Sequence, residues 1–119
     1  MNAPHTLGAE GEKIAARYLA GKGYRILERN FRFLRNEIDI IAADGREICF
    51  IEVKTRKSDD HGSPEEFVDP RKIKKLIRGA KLFSARKKFR DCRIRFDIVG
   101  LVGSAGRFVI THLEDAFEE

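Results

Sequence analysis

The chain has 119 residues, of which 42% are hydrophobic and 36% charged, and its formal net charge is +5. This length fits one domain, residues 1–119, which can bury a core without disulfides. No apolar run approaches the ~20 residues that cross a bilayer, and the N-terminus lacks a secretion signal. Cys49 and Cys92 fit no metal or redox spacing. We therefore expect reduced thiols in a cytoplasmic protein with no membrane partner.

The basic residues are concentrated in one part of the chain. Residues 71–95 contain twelve of the 24 Lys and Arg residues and one acid, Asp91. Such asymmetry favours a polyanionic partner. A solvated helix face that prefers Lys and Arg explains the same pattern equally well.

The spacing of apolar residues predicts the elements in chain order. A helix is predicted over residues 8–20, and a second helix begins at Pro70 with Asp69 as its N-cap, after a polar loop over residues 55–69. Five segments have strand patterns, at residues 24–33, 37–43, 47–54, 94–102 and 107–112. The order α-β-β-β-α-β-β predicts an α/β fold with a mixed central sheet and flanking helices.

The second and third strands are joined by Asp44 and Gly45, a pair typical of a two-residue hairpin turn. This turn would place Asp39 opposite Phe50 and diagonal to Glu52. Because side chains alternate along a strand, four charged residues are predicted on one face. They are Glu37, Asp39, Glu52 and Lys54. A loop length that differs by two residues keeps this face, whereas a one-residue bulge breaks it.

Three carboxylates on one face of apolar strands repel each other. A shared proton, a basic side chain or a bound cation is needed to offset their negative charge. Hard carboxylate oxygens suit Mg²⁺ or Mn²⁺. The plainer alternative is an ordinary ion pair between Glu52 and Lys54. We favour a site because Asp39 lies within a run of isoleucines. Glu12, on the partly apolar face of the first helix, is a further candidate, although a favourable helix-dipole contact also explains it.

Asp39 followed by Glu52, Val53 and Lys54 resembles the PD-(D/E)XK motif of restriction-endonuclease-like nucleases. The first helix with Glu12 is similar to that of archaeal Holliday-junction resolvases in the same superfamily. More closely, the chain resembles the YraN family of small bacterial proteins. The matching stretches are residues 8–16, 23–31, 37–41, 50–56, 62–76 and 95–99. One departure is Asn36, where that family usually has Gly.

The resemblance implies a restriction-endonuclease-like fold and metal-dependent hydrolysis of phosphodiester bonds in DNA. Asp39, Glu52 and the backbone carbonyl of Val53 would hold one or two Mg²⁺ or Mn²⁺ ions, with further contacts from Glu12 and Glu37. Lys54 would orient or activate the attacking water. The basic helix, taken as residues 71–90, would bind phosphates. The implied nucleic-acid contacts are Arg56, Lys72, Lys74, Lys75 and Arg78.

Two other functional classes fit the sequence. One is a non-catalytic nucleic-acid-binding module with the same fold, and the other is an interaction protein whose charged helix docks an acidic partner. The residues do not separate DNA from RNA, but the few aromatic residues outside the predicted core favour duplex backbone recognition. Binding through phosphates is expected to be salt-sensitive. The resemblance to junction resolvases is compatible with a homodimer.

Overall fold

The structure, a computed structural model, describes residues 7–57, 70–86, 89–104 and 107–117. Within these ranges, two helices and five strands occur in the predicted order. They are α1 (Leu7–Gly21), β1 (Arg25–Phe33), β2 (Asn36–Asp44), β3 (Glu47–Arg56), α2 (Pro70–Ser84), β4 (Arg93–Ser104) and β5 (Arg107–Leu113). The α/β prediction is therefore confirmed. No helix in the described ranges is long and apolar enough to span a membrane.

The five strands form one mixed sheet in the order β1-β2-β3-β4-β5. Only β3 and β4 pair in parallel, and the chain between them includes α2. A parallel pair requires such a crossover connection, whereas the antiparallel pairs need only short turns.

The two helices cover opposite faces of the sheet. On one face, Ala15 and Leu19 of α1 pack against Ile40, Ile51 and neighbours in what we call the α1-side core. On the other face, α2 packs onto the α2-side core. That core contains Phe33, Ile38, Ile41, Phe50, Leu76, Ala80, Phe83, Phe89 and Phe96 among others. The apolar face expected for α2 is present, with Ile73 and Ile77 half-buried at its margin.

In the β2–β3 hairpin the turn lies one residue later than predicted, and the pairing register shifts by two, so Phe50 pairs with Ile41 rather than with Asp39. The turn residues are Gly45 and Arg46, and the last pair is Asp44 with Glu47. Gly45 has φ +61° at the first turn position, where glycine adopts a positive φ without steric conflict. The Asp44 carboxylate accepts a hydrogen bond from Arg95, which holds that residue in the strand. The shift changes the pairing register by an even number, so it leaves Asp39, Glu52 and Lys54 on one face.

The second helix is shorter than predicted. It ends at Ser84 rather than at Arg90. Phe89 stacks on Phe83 with ring centroids 4.9 Å apart, so the chain leaves the helix to bring Phe89 into the α2-side core. The predicted N-cap, Asp69, and most of the polar loop lie outside the described residues.

Candidate metal centre and nucleic-acid interface

Strands β2 and β3 separate at Asp39. The regular ladder between them ends at the pair Ile40 and Ile51. Beyond it, the backbone N–H of Val53 donates to Oδ2 of Asp39, with an N···O distance of 2.8 Å. A side-chain carboxylate thus satisfies a β3 amide that faces β2. Where two strands diverge, the sheet opens space between their side chains, and Asp39 lies at that opening.

The alternation of side chains along β2 breaks at the same place. Ile38 belongs to the α2-side core, whereas Ile40, two residues later, belongs to the α1-side core. The prediction that Glu37 shares a face with Asp39 is therefore wrong, because one irregular residue reverses the faces before it. Glu37 instead lies beside its cross-strand partner Arg32, with Oε2 3.6 Å from Nε.

Glu52 is the most buried acidic group of the candidate site, with 3% of its surface exposed. Its Oε1 atom lies 3.5 Å from Nζ of Lys72 on α2 and 3.9 Å from Nζ of Lys54. Its Oε2 atom is buried and has no hydrogen-bond partner among the residues that the structure describes. A buried carboxylate oxygen without a partner is costly, so this atom is suited to an additional ligand.

The carboxyl groups of Glu52 and Asp39 lie within hydrogen-bonding reach of each other. Burial, followed by the negative charge of Asp39, raises the pKa of Glu52 to about 7, against the opposing charges of Lys72 and Lys54. Burial also raises the pKa of Asp39, although the Val53 amide and the two lysines oppose it. The pair resists full ionisation unless more positive charge is supplied.

Helix α1 brings Glu12 to the edge of this pair. A Cβ atom on Gly11 would lie 2.0 Å from Oγ1 of Thr55, so only glycine permits α1 to approach the end of β3 this closely. Burial and then the charge of Asp39 raise the pKa of Glu12. The charge of Asp39 thus acts on Glu12, whose role in the site stays a prediction.

Asn30 links Glu12 and Glu37, and it was not anticipated from the sequence. With its amide oriented to suit both neighbours, its nitrogen donates to Oε1 of Glu12 at 2.7 Å and to Oε1 of Glu37 at 2.9 Å. Asn30 has φ +54°, a conformation that asparagine tolerates better than most residues. An Asn in a polar strand gives no sequence signal for this role.

The basic residues predicted to bind nucleic acid occupy different positions. Lys74, Lys75 and Arg78 are exposed on α2, whereas Lys72 is half-buried against Glu52. Arg56 is half-buried at the end of β3, where it pairs with Val102. The structure therefore places three cations on the outer surface of α2 and Lys72 within the carboxylate site.

A cleft of about 80 Å³ separates α2 from the β1–β2 hairpin. Its lining residues are Phe33, Asn36, Glu37, Lys72, Lys75 and Leu76. Lys72 lines this cleft and also contacts Glu52, so it connects the cleft with the carboxylate pair.

The residues present fit a divalent cation that keeps part of its own hydration. No group of three His, Cys, Asp or Glu side chains in the described ranges is arranged to enclose a metal ion. Mg²⁺, however, is usually held by only one or two protein carboxylates, with water and phosphate as the other ligands. Asp39 and the unpartnered Oε2 of Glu52 provide such a pair.

A second charged cluster, also not anticipated, lies on the α1 side of the sheet. Arg95 donates from Nε and Nη2 to both oxygens of the fully buried Asp97, each at 2.9 Å. Nε2 of His112 lies 2.8 Å from Asp97, and the amide of Asp115 also donates to it. Burial opposes ionisation of Asp97, but these hydrogen bonds outweigh it and lower its pKa. The cluster joins β4, β5 and the C-terminal segment, which indicates a structural role.

Comparison with known sequences places the chain in a family. Residues 11–101 match the profile described as Uncharacterised protein family UPF0102. The chain belongs to the UPF0102 family. The match begins at Gly11 and ends at Leu101, so it includes every predicted member of the carboxylate site. This result confirms the resemblance to the YraN family.

Relatives in the UPF0102 family align over nearly their whole length. A UPF0102 protein of Chlorobium limicola is 50% identical, with 98% of this chain and 95% of the relative covered. One of Chlorobaculum parvum is 52% identical with the same coverage. A more distant one, of Persephonella marina, is 41% identical over 93% of this chain and 92% of its own length.

Proposed function

We propose that this UPF0102 protein is a metal-dependent nuclease that hydrolyses phosphodiester bonds in duplex DNA. The observation that carries the proposal is the pairing of Asp39 with Glu52 where β2 and β3 diverge, with one buried carboxylate oxygen left without a partner. This is the arrangement implied by the PD-(D/E)XK resemblance, and the proposal extends to membership of that superfamily.

Each residue of the site has a distinct role in this proposal. Asp39 and Glu52 would bind Mg²⁺ or Mn²⁺, together with the carbonyl oxygen of Val53. Such an ion, when bound, lowers the pKa of water and offsets charge that develops on the phosphate. Lys54, beside Glu52, would orient the attacking water and stabilise the phosphate's negative charge.

Glu12 and Glu37 would act on the same site from α1 and β2. Both accept hydrogen bonds from Asn30, so their positions are fixed relative to each other. Burial and the negative charge of Asp39 raise the pKa of Glu12, so a bound cation would favour its ionised form.

The α2 surface supplies the contacts to the nucleic-acid backbone. Lys74, Lys75 and Arg78 are exposed, and Lys75 lines the cleft together with Lys72, which contacts Glu52. Phosphate contacts of this kind give affinity without sequence information. Arg56, at the end of β3, would contribute to the same positive field.

One observation favours a second candidate, a nucleic-acid-binding module without catalysis. Lys54 and Lys72 both approach Oε1 of Glu52, so two lysines already offset its negative charge. If these contacts persist in the presence of metal, the carboxylates are a structural element and the basic surface carries the function.

A cleavage assay tests the proposal and separates the two candidates. Supercoiled and linear duplex DNA, with single-stranded DNA and RNA alongside, are incubated with Mg²⁺ or Mn²⁺ and with chelator. Cleavage that requires metal and disappears in Asp39→Asn and Glu52→Gln supports the nuclease. The matched control is Asp91→Asn, the same change at an exposed position, which retains full activity.

Binding of DNA without cleavage in either metal contradicts the nuclease and favours the binding module. Absence of any nucleic-acid binding at low salt contradicts both candidates.

A further inference from the structure

The tip of the β1–β2 hairpin carries an exposed leucine. Phe33 and Asn36 form the last pair of this hairpin, and Leu34 and Arg35 are its two turn residues. The Leu34 residue is 70% exposed and has φ +53°. It belongs to neither of the two cores.

Leucine is an unfavourable choice at this position in two respects. A bulky side chain at positive φ is sterically strained, whereas Gly or Asn adopts this conformation readily. The side chain also leaves a large apolar surface in water. Since packing within the chain explains neither feature, the strain and the exposure together point to a contact with a partner.

The surroundings of Leu34 are positively charged. Arg32 and Arg35 are exposed on either side of it, and Arg32 keeps an ion pair with Glu37 at 3.6 Å. An open cleft of about 380 Å³ runs along this tip. Its lining residues are Arg32, Leu34, Arg35, Asn36 and Glu37.

The tip is continuous with the candidate catalytic site. Asn36 and Glu37 line this cleft and also the cleft that contains Lys72. Asn36 lies three positions before Asp39 in β2, a distance of about 10 Å at the rise of a strand. A duplex that contacts the carboxylate pair and α2 therefore also reaches the hairpin tip.

We propose that the β1–β2 hairpin tip enters the minor groove of duplex DNA and that Leu34 wedges between two stacked base pairs. Arg32 and Arg35 bind the phosphates on both sides of the groove. Proteins that bend DNA from the minor groove use this combination of an apolar wedge and flanking cations. The inference rests on the proposed function in one respect, since it takes duplex DNA as the partner.

The wedge predicts which duplexes bind best. Inserting a side chain between base pairs requires free energy for unstacking, and a duplex with a weakened step has already lost that stacking. The favoured substrate class is therefore duplex DNA with a locally opened or mismatched step.

Equilibrium binding to two duplexes tests the wedge. Both have the same length and number of phosphates, but one contains two adjacent mismatched base pairs, and EDTA prevents cleavage. We expect the parent protein to prefer the mismatched duplex by about tenfold. In Leu34→Asn, which keeps a residue tolerant of positive φ, the preference falls to about twofold or less, while affinity for the intact duplex changes little.

Val109→Thr is the matched control, because Val109 is 72% exposed on β5 at the opposite edge of the sheet. It is expected to leave the preference unchanged. Equal affinity of the parent protein for both duplexes, or a full preference in Leu34→Asn, overturns the wedge and leaves the nuclease proposal intact. Failure of the parent protein to bind either duplex overturns the wedge and the proposed function together.

Discussion

The carboxylate of Asp39 accepts the backbone N–H of Val53 at 2.8 Å, just beyond the last regular pair of β2 and β3. This bond fixes the aspartate beside Glu52, whose other contacts are lysines and whose Oε2 has no partner. The site thus depends on an interrupted ladder, because an uninterrupted one would bond the Val53 amide to the backbone of β2.

The first prediction concerns the stability of Glu52→Gln at different pH values. Burial raises the pKa of Glu52 in the folded protein from its ordinary value of 4.5 to about 7. Because the folded state holds this proton more tightly than the unfolded state, the free energy of unfolding is highest below pH 4.5. It falls as the pH rises through 7. Glutamine avoids this loss, so in the absence of metal Glu52→Gln should be more stable than the parent at pH 8, by about 3 kcal/mol at most.

Denaturant unfolding at pH 4.5 and pH 8 measures this difference. Asp91→Asn is the control for the loss of a negative charge at an exposed position. A difference between Glu52→Gln and the parent that is the same at both pH values would contradict the raised pKa.

The second prediction concerns Gly11, where α1 approaches β3. In Gly11→Ala the new methyl group collides with Thr55, so we expect a loss of about 1–3 kcal/mol in unfolding free energy. The displaced helix carries Glu12 away from Asp39, so metal-dependent cleavage should fall as well. Thermal unfolding and the cleavage rate are the two measurements.

Gly8→Ala is the control for that substitution, because no atom of the described residues lies within 4 Å of a Cβ at Gly8. It should stabilise α1 by about 0.5–1 kcal/mol. Adding Thr55→Ala to Gly11→Ala should restore part of both losses. If Gly11→Ala behaves like Gly8→Ala, the close approach does not position the site.

The third prediction concerns the charged cluster around Arg95. Removing the guanidinium in Arg95→Met leaves the buried Asp97 with fewer partners, so we expect a loss of about 3–5 kcal/mol in unfolding free energy. Arg93→Met, in the same strand, removes an exposed arginine that makes an ion pair of 3.9 Å with Glu47. That control should cost less than about 1 kcal/mol.

If Arg95→Met and Arg93→Met lower the free energy of urea unfolding equally, the Arg95 cluster does not stabilise the fold.

The sequence predicted the fold and the central pair for an identifiable reason. Hydrophobic periodicity defines each element, and a turn between two strands sets which side chains share a face. The turn lies one residue later than predicted, which shifts the pairing register by two, so Asp39 and Glu52 remain on one face. The short turn between β2 and β3 allows few alternative pairing registers for these two strands.

The remaining features depend on geometry that a residue pattern does not contain. The break in alternation that turns Glu37 to the other face of the sheet occurs at Asp39, without a glycine or proline to mark it. Asn30 donates to Glu12 of α1 and to Glu37 of β2, a role that only the three-dimensional arrangement reveals. In the sequence, Arg95 is one of many basic residues between positions 71 and 95, so its buried role is not evident. Asp97, an acidic residue within an apolar strand, is the same kind of sequence signal that identified Asp39.

Divalent cation binding tests the central claim most directly. Titration with Mn²⁺ at pH 8, followed by loss of the electron paramagnetic resonance signal of the free ion, should reveal a site in the parent protein. Affinity should fall by at least about tenfold in Asp39→Asn and should decrease between pH 8 and pH 6, as Glu52 takes up a proton. Mn²⁺ binding that is the same in Asp39→Asn and in the control Asp91→Asn would contradict the carboxylate pair as the metal site.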